Sequence, residues 1–172
     1  TAGYLSGYKG VTSAPFFGAE RRGAPVLATT KLSLNPIRDL SQITSPDIVV
    51  VLDPTLIKSI NVFQGLKNGG WFIINSPTND SHPKNFNIVT VNATRIATEL
   101  GLLYAGIPLV NTPMLGAVLH ALPKIDISNL HNALEHFLSP SAVAKNFDAI
   151  TQVYREAQVI PFNQDTPKGV LK

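Results

Sequence analysis

Three apolar runs, separated by polar and glycine-rich segments, mark the middle of the 172-residue chain. Residues 47–53 are Asp-Ile-Val-Val-Val-Leu-Asp, residues 71–75 are Trp-Phe-Ile-Ile-Asn, and residues 87–91 are Asn-Ile-Val-Thr-Val. Short continuous runs rich in β-branched residues are typical of parallel strands that are covered on both faces. We therefore predict three parallel strands here, and two further strands at residues 9–14 and 26–32.

Apolar residues recur at helical spacing between and after these runs. Residues 54–66 begin after Asp53, a residue type that caps helices, and end before Gly69-Gly70, so they are predicted to be a helix. Further helices are predicted at 94–100, 113–122, 128–138 and 141–157. The alternation of strands and helices predicts an α/β fold, a Rossmann-like three-layer sandwich with a mostly parallel sheet. Residues 1–160 would form this domain and residues 161–172 an extended tail.

The beginning of the sequence differs from the usual opening of such a fold. A doubly wound sheet opens with a strand, a glycine-rich turn and a helix whose N–H groups bind phosphate. Gly3, Gly7 and Gly10 do not have the spacing of that turn, and residues 1–8 resemble the end of a helix. We therefore expect a sheet that lacks its first strand and its glycine-rich turn.

The composition narrows the function classes. Charged residues make up 15% of the chain, below the usual quarter, which suggests that a partner covers part of its surface. No apolar run reaches the ~20 residues of a membrane helix, and no aromatic–basic pattern indicates nucleic acid. The chain contains no cysteine, which excludes thiolate ligation of zinc or iron–sulfur clusters by these residues. No secretory segment is present, so we expect a cytoplasmic protein.

The most unusual segment is Phe-Phe-Gly-Ala-Glu-Arg-Arg-Gly-Ala-Pro-Val at residues 16–26. Arg21 and Arg22 are permanent cations with forked donors, suited to phosphate or carboxylate groups, between glycines that permit a tight turn. A loop of this kind at the end of a strand suits an anion site or a docking surface. The alternative is that Glu20 pairs with one arginine while the other is solvated, since exposed ion pairs contribute only ~0–1 kcal/mol.

Four ordered stretches resemble one family. Together with residues 16–26, the segments at 45–57 (SPDIVVVLDPTLI), 91–101 (VNATRIATELG) and 110–122 (VNTPMLGAVLHAL) resemble the γ subunits of 2-oxoacid:ferredoxin oxidoreductases, of the pyruvate type. Asn92 stands where an aspartate is usual in the family. The resemblance extends over about residues 1 to 157, and the family's opening strand and Gly-x-Gly-Gly-Gln-Gly-like turn are absent from this sequence.

The resemblance implies a subunit of a larger enzyme. That enzyme oxidatively decarboxylates pyruvate with coenzyme A, yields acetyl-CoA and carbon dioxide, and reduces ferredoxin. Thiamine diphosphate, Mg²⁺ and iron–sulfur clusters would lie on other subunits, with no cofactor bound by this chain alone. The chain would be non-catalytic and would assist assembly and coenzyme A binding. A γ subunit for another 2-oxoacid (2-oxoglutarate or indolepyruvate) and a non-enzymatic anion-binding or scaffold module remain open.

The residues expected to carry these roles are few. The resemblance, added to the chemistry, favours contact of Arg21 and Arg22 with coenzyme A or with the thiamine-bearing subunit. Asn111 and Thr112 precede a predicted helix, where they would hold a ligand phosphate or a partner, or would simply cap the helix. Met114 and Leu115 are assigned to the helix core, with a contact to another subunit open. The full partner-binding set is Gly18, Glu20, Arg21, Arg22, Gly23 and Met114.

No catalytic residue and no metal ligand is predicted. Asp53 and Asn92 lie where helix caps are expected, so neither is assigned acid–base work. The four histidines are expected at the surface, because no spacing among them suits a metal site: His82, His120, His131 and His136.

Overall fold

The computed structural model describes residues 1–16, 25–39, 41–78 and 85–163 of the chain. In chain order the elements are α1 (Ala2–Leu5), β1 (Gly10–Phe16), β2 (Leu27–Ser33), β3 (Ile48–Val51), α2 (Leu56–Ser59), β4 (Trp71–Asn75), β5 (Asn87–Val91), α3 (Ala93–Glu99), β6 (Leu103–Tyr104), β7 (Ile107–Pro108), α4 (Leu115–Val118), α5 (Ile127–Glu135), α6 (Pro140–Glu156) and β8 (Gln158–Ile160).

A four-stranded sheet with the order β3–β4–β5–β8 forms the centre of the molecule. The strands β3, β4 and β5 are parallel, with Ile48 opposite Trp71 and Trp71 opposite Asn87, while β8 joins β5 antiparallel. The predicted α/β class with a mostly parallel sheet is therefore confirmed. The bounds predicted for β4 and β5 are those observed, because polar and glycine residues delimit both apolar runs.

Apolar clusters cover the two faces of the sheet. On one face Ile73, Val89 and Val91 pack with side chains of α3, α4 and α6, including Ile96 and Val153. On the other face the sheet side chains pack under the segment between β3 and β4, which contributes five apolar side chains to this cluster: Leu56, Ile57, Val62, Phe63 and Leu66. The central sheet thus lies between two covering layers.

The predicted helix at 54–66 is wrong in extent, because only α2 is α-helical in this segment. The side chain of Asn61 accepts a hydrogen bond from the Phe63 amide at 3.2 Å, and Gly65 has a φ of 78°, so the chain turns instead of continuing the helix. Leu56, Ile57, Phe63 and Leu66 still pack against the sheet, which accounts for the helical spacing, whereas Ile60 is 44% exposed.

The helices that follow agree better with the sequence. The predictions at 94–100, 128–138 and 141–157 correspond to α3, α5 and α6. The prediction at 113–122 is too long, since α4 has only four residues and is flanked by turns. Gly101, with a φ of 65°, ends α3 as its position in the sequence indicates.

An antiparallel hairpin of β1 and β2 is separate from the central sheet. The register runs from Gly10 opposite Ser33 to Phe16 opposite Leu27. At the base of the hairpin the backbones at Asn35 and Ile37 lie so close to Gly10 that a side chain there would overlap them. The two strands confirm the predictions at 9–14 and 26–32, with bounds shifted by one or two residues.

Two features were not predicted: the short hairpin of β6 and β7, and the edge strand β8. Beyond β8, the Phe162 amide donates to the Asn87 side chain at 3.0 Å, and the Phe162 ring lies beside Gly69. The first residues of the predicted tail therefore lie against the sheet of the same chain. Residues 164–172 are outside the described residues.

Candidate functional site

The arginine segment connects the two strands of the long hairpin. Residues 17–24, which include Gly18, Glu20, Arg21, Arg22 and Gly23, lie outside the described residues. Their flanks are described: Phe16 and Leu27 form the last residue pair of the β1–β2 register. The candidate anion-binding or docking residues thus belong to the connection at the far end of a hairpin whose base packs on the domain.

The half of this hairpin nearest the arginine segment is solvent-exposed. Ser13, Ala14 and Pro15 on β1 are exposed, and Val26 and Leu27 are 80% and 60% exposed. A hydrogen bond between the Ser13 and Thr30 hydroxyls, 2.6 Å long, ties the two strands across this half. A paired ribbon with exposed apolar side chains, whose connecting sequence contains two arginines, is chemically suited to contact another macromolecule or an anionic ligand.

The second candidate group lies in the turn that leads into α4. Asn111 is exposed and Thr112 is half-buried. The helix begins after Met114 without any side-chain cap, so neither residue acts as the cap that was the alternative for them. Since α4 has four residues, its dipole is small and offers an anion little attraction. Any ligand contact here would rest on the Asn111 and Thr112 side chains themselves.

Met114 and Leu115 differ in environment although they are neighbours. Met114 is 1% exposed and packs in the cluster under α3 and α6, as expected for a core residue. Leu115 is 37% exposed, so its assignment to the core is wrong. In the chain by itself, the side chain that reaches the surface at this point is that of Leu115.

A buried asparagine, not predicted from the sequence, organises the carboxyl ends of the parallel strands. Asn75 ends β4 and is 3% exposed. Its Nδ2 donates to the Leu52 carbonyl at 2.9 Å and to the Thr94 hydroxyl at 2.8 Å, and its Oδ1 accepts from the Thr94 amide at 3.2 Å. It therefore joins the ends of β3 and β4 to the first turn of α3. The only sequence signal for it is a polar residue that ends an apolar run.

Of the two predicted caps, Asn92 is confirmed, whereas the prediction for Asp53 is wrong because the N-cap of α2 is Thr55. Asn92 accepts a hydrogen bond from the Arg95 amide at 2.9 Å and is the N-cap of α3, as predicted. The Asp53 carboxylate accepts from the Thr55 hydroxyl and amide at 2.7 and 2.9 Å, in the turn before α2. These two hydrogen bonds lower the pKa of Asp53 below its ordinary value of 3.8, and the one from the Thr55 hydroxyl has the larger effect. A carboxylate with a lowered pKa is a weak base and carries no proton to donate at neutral pH, so Asp53 is poorly suited to acid–base catalysis.

The described histidines make separate local contacts, and His131 Nδ1 lies 3.7 Å from the Glu135 carboxylate. His120 contacts the Tyr154 carbonyl through Nε2 at 3.1 Å and stacks on its ring, and His131 packs edge-on against Phe147. His136 is exposed, and His82 lies outside the described residues. In the part of the chain that the structure describes, no group of three or more His, Cys, Asp or Glu residues could hold a metal ion. No helix among these residues is long and apolar enough to cross a membrane.

Comparisons with known proteins agree on one family. The sequence profile described as "Pyruvate ferredoxin/flavodoxin oxidoreductase" matches residues 1–156. The "Pyruvate/ketoisovalerate oxidoreductases common subunit gamma" of Pyrococcus furiosus is 38% identical over 164 residues, covering 92% of this chain and 86% of the relative. The "Pyruvate synthase subunit PorC" of Methanosarcina barkeri is 40% identical over 123 residues, covering 70% of this chain and 65% of the relative.

A solved structure supports the same grouping. The crystal structure of the pyruvate oxidoreductase subunit PORC from Thermotoga maritima superposes with a TM-score of 0.75 at 29% identity, covering 92% of this chain and 85% of the other. The profile match and the two relatives extend over most of the sequence, and the central sheet has its counterpart in that subunit. The chain therefore belongs to the pyruvate ferredoxin/flavodoxin oxidoreductase family, among its γ-type subunits.

Proposed function

We propose that this chain is the γ subunit of a coenzyme A-dependent pyruvate:ferredoxin oxidoreductase and has no catalytic residue of its own. The assembled enzyme would convert pyruvate and coenzyme A to acetyl-CoA and carbon dioxide and pass the electrons to ferredoxin. The observation that carries this proposal is the family membership, since relatives with 38% and 40% identity are γ subunits or PorC subunits of such oxidoreductases.

The cofactors of the reaction would be held by other subunits. Iron–sulfur clusters are bound mainly by cysteine thiolates, and these 172 residues contain no cysteine. Thiamine diphosphate with Mg²⁺ would likewise belong to a partner subunit. This chain would then contribute surfaces to the complex, while coenzyme A enters as a substrate.

The arginine segment is proposed to dock on the thiamine-bearing subunit and to assist coenzyme A binding. The exposed half of the β1–β2 hairpin supports this role, because Val26 and Leu27, which follow the two arginines in the sequence, present exposed apolar area. Gly18, Glu20 and Gly23 would shape and orient the segment. Asn111 and Thr112 are proposed as secondary contacts, and Met114 would support that surface from beneath, since it is buried.

The first experiment is a native purification through a tag on this chain, with analysis of the proteins, thiamine diphosphate and iron that accompany it. We expect large partner subunits that carry both cofactors, and dye reduction that depends on pyruvate and coenzyme A. A monomer that purifies without either cofactor would contradict the oxidoreductase complex. That result would favour a binding or scaffold module without an enzyme.

The role of the arginine segment is tested by Arg21→Ala combined with Arg22→Ala. We expect pyruvate- and coenzyme A-dependent electron transfer in the assembled enzyme to fall about tenfold or more, since loss of charge-assisted contacts at an interface commonly costs this much. The matched control is Arg38→Ala combined with Arg155→Ala, which removes the same charge from exposed positions elsewhere. Unchanged activity and unchanged subunit association would contradict the proposed role.

A second candidate is a γ subunit that serves another 2-oxoacid, whether 2-oxoglutarate, indolepyruvate or a branched-chain acid. The Pyrococcus relative favours this candidate, because its name describes one γ subunit common to pyruvate and ketoisovalerate oxidoreductases. Substrate choice would then lie in the partner subunits. Comparing kcat/KM for these acids on the purified complex separates the candidates: a preference for pyruvate supports the first, and any other preference supports the second.

A further inference from the structure

One long stretch of this chain has no charged residue. From Leu100 to Pro123 the sequence contains no Asp, Glu, Lys or Arg. The stretch includes the small hairpin of β6 and β7, which the function proposed above does not use. Four apolar side chains are exposed in this hairpin and at the residue that follows it: Leu103, Tyr104, Ile107 and Leu109.

The strand register places three of these side chains on one face. Tyr104 pairs with Ile107, and the Leu109 amide donates to the Leu102 carbonyl at 2.8 Å, which continues the same register. Residues paired directly across an antiparallel ladder point to the same side, and that side alternates along the strand. Tyr104, Ile107 and Leu109, which we name the hairpin face, therefore lie together, with exposures of 74%, 67% and 41%.

The turn of the hairpin gives a second, independent observation. Ala105 and Gly106 have φ values of 49° and 80°, and Ala105 is the one non-glycine residue with positive φ among the described residues. A two-residue turn with both φ values positive normally takes Asn-Gly or Asp-Gly, because asparagine and aspartate tolerate this backbone better than alanine. The turn therefore carries a methyl group where a polar side chain would fold more easily.

The extent of this surface indicates what covers it. Three partly exposed side chains and a turn amount to roughly 300–600 Å², the size of the largest apolar patch on a typical monomer and often functional. A stable dimer needs about 800 Å² from each copy, so the hairpin face is too small to hold two copies together by itself. It fits as one part of a larger interface. Since the stretch offers no charged partner, a charge buried opposite it would be desolvated without compensation, so an apolar, uncharged surface matches it best.

We propose that the hairpin face docks on an apolar, uncharged surface of another subunit of the oxidoreductase. This inference rests on the proposed function. It assigns to β6 and β7 a contact that differs in kind from that of the arginine segment: association through the hairpin face resists salt, because apolar burial is not screened. Contact through Arg21 and Arg22 weakens as salt rises.

The test uses the purified complex and two single variants with matched exposure. Tyr104→Ser removes an aromatic side chain that is 74% exposed on the hairpin face, and Phe137→Ser removes one that is 75% exposed after α5. The fraction of the chain that stays bound is measured by ultracentrifugation over a dilution series, at about 0.1 M and about 1 M salt. For Tyr104→Ser we expect the half-dissociation concentration to rise about tenfold or more at both salt concentrations. Phe137→Ser should leave it unchanged.

Ala105→Asn is a variant that should keep or raise the stability of the chain while it weakens association with the complex. Asparagine is the preferred residue for this turn, so the midpoint of thermal unfolding of the isolated chain should rise or stay equal. The added polar amide at the turn should weaken association with the complex. Loss of association in a chain that is at least as stable as the wild type cannot come from misfolding.

Three outcomes decide the inference. Weaker association of Tyr104→Ser and Ala105→Asn at both salt concentrations supports it. Unchanged association overturns it, as does a self-association of the isolated chain that Tyr104→Ser abolishes, since a second copy would then occupy the face. Failure of the proposed function gives a result different from failure of this inference: the wild-type chain itself would purify without subunits that carry thiamine diphosphate and iron.

Discussion

The Asn75 side chain holds the carboxyl ends of β3 and β4 in position against the first turn of α3. Parallel α/β sheets bind ligands beyond these ends, so the geometry there matters for any site that the assembled enzyme builds. One buried side chain makes three hydrogen bonds, to the Leu52 carbonyl and to the amide and hydroxyl of Thr94. An amide is suited to this place because it donates and accepts at once, which neither a carboxylate nor an aliphatic side chain of this size does.

We predict that Asn75→Ala lowers the free energy of unfolding by about 2 kcal/mol, through the lost hydrogen bonds and the space left behind. The measurement is urea denaturation followed by circular dichroism. The control is Asn61→Ala, an exposed asparagine whose side chain accepts one hydrogen bond, from the Phe63 amide. The control should change stability by less than about 1 kcal/mol. Equal effects of the two substitutions would contradict the role of Asn75.

At the scale of elements, the crossing of α4 and α6 depends on one glycine. A Cβ on Gly116 would overlap the Ile150 carbonyl oxygen and lie 2.9 Å from the Tyr154 amide nitrogen, both in the backbone of α6. Backbone atoms in a packed helix cannot move aside as the end of a side chain can. The two helices therefore pack closer together here than any other residue would allow.

We predict that Gly116→Ala destabilises the chain by about 2–3 kcal/mol because the helices must separate. The sign of the effect is informative, since alanine favours a helix over glycine by about 1 kcal/mol and would stabilise α4 if the contact were absent. Gly101→Ala is the comparison: its Cβ would meet nothing within 4 Å, but its φ is 65°, so only backbone strain of about 1 kcal/mol is expected. Thermal unfolding of both variants measures the difference.

Sequence patterns predict best the elements in which successive residues are all buried. The apolar runs at 71–75 and 87–91 are buried on both faces, so each residue reports the same environment. The segment at 54–66 has one buried side only, and its apolar spacing is satisfied by one helical turn followed by irregular turns. Periodicity records which side chains face the sheet, whereas the backbone leaves the helix at Ile60, whose φ and ψ of −138° and 156° are extended.

The elements that were missed have weak local signals. The turn of β6 and β7 is Ala-Gly and lacks the Asn-Gly or Asp-Gly pair that predicts a hairpin. The strand β8 has three residues and is defined by its pairing with β5, which is distant in sequence. Asn75 was missed for a similar reason, since its partners, Leu52 and Thr94, are distant in sequence. The arginine segment, in contrast, was identified from its charges alone, and its role stays a prediction.

At the scale of the whole molecule, the low charge of the chain has a structural counterpart. Exposed apolar side chains occur on both hairpins, with Val26 and Leu27 on the long one and Tyr104 and Ile107 on the short one. Neither hairpin belongs to the central sheet. Both hairpins thus present exposed apolar area outside the central sheet, as expected of a subunit that completes its burial in an assembly.

We predict that assembly raises the thermal stability of this chain in proportion to the logarithm of partner concentration. A partner that binds only the folded chain adds about 2.7 kcal/mol to the free energy of unfolding at a hundred times its Kd. The measurement is the unfolding midpoint of the labelled chain, titrated with partner subunits purified from the complex. Tyr104→Ser should leave the midpoint of the free chain unchanged and shift the titration to about tenfold higher partner concentration. A midpoint that does not respond to the partners would contradict the view that the exposed hairpins are buried on assembly.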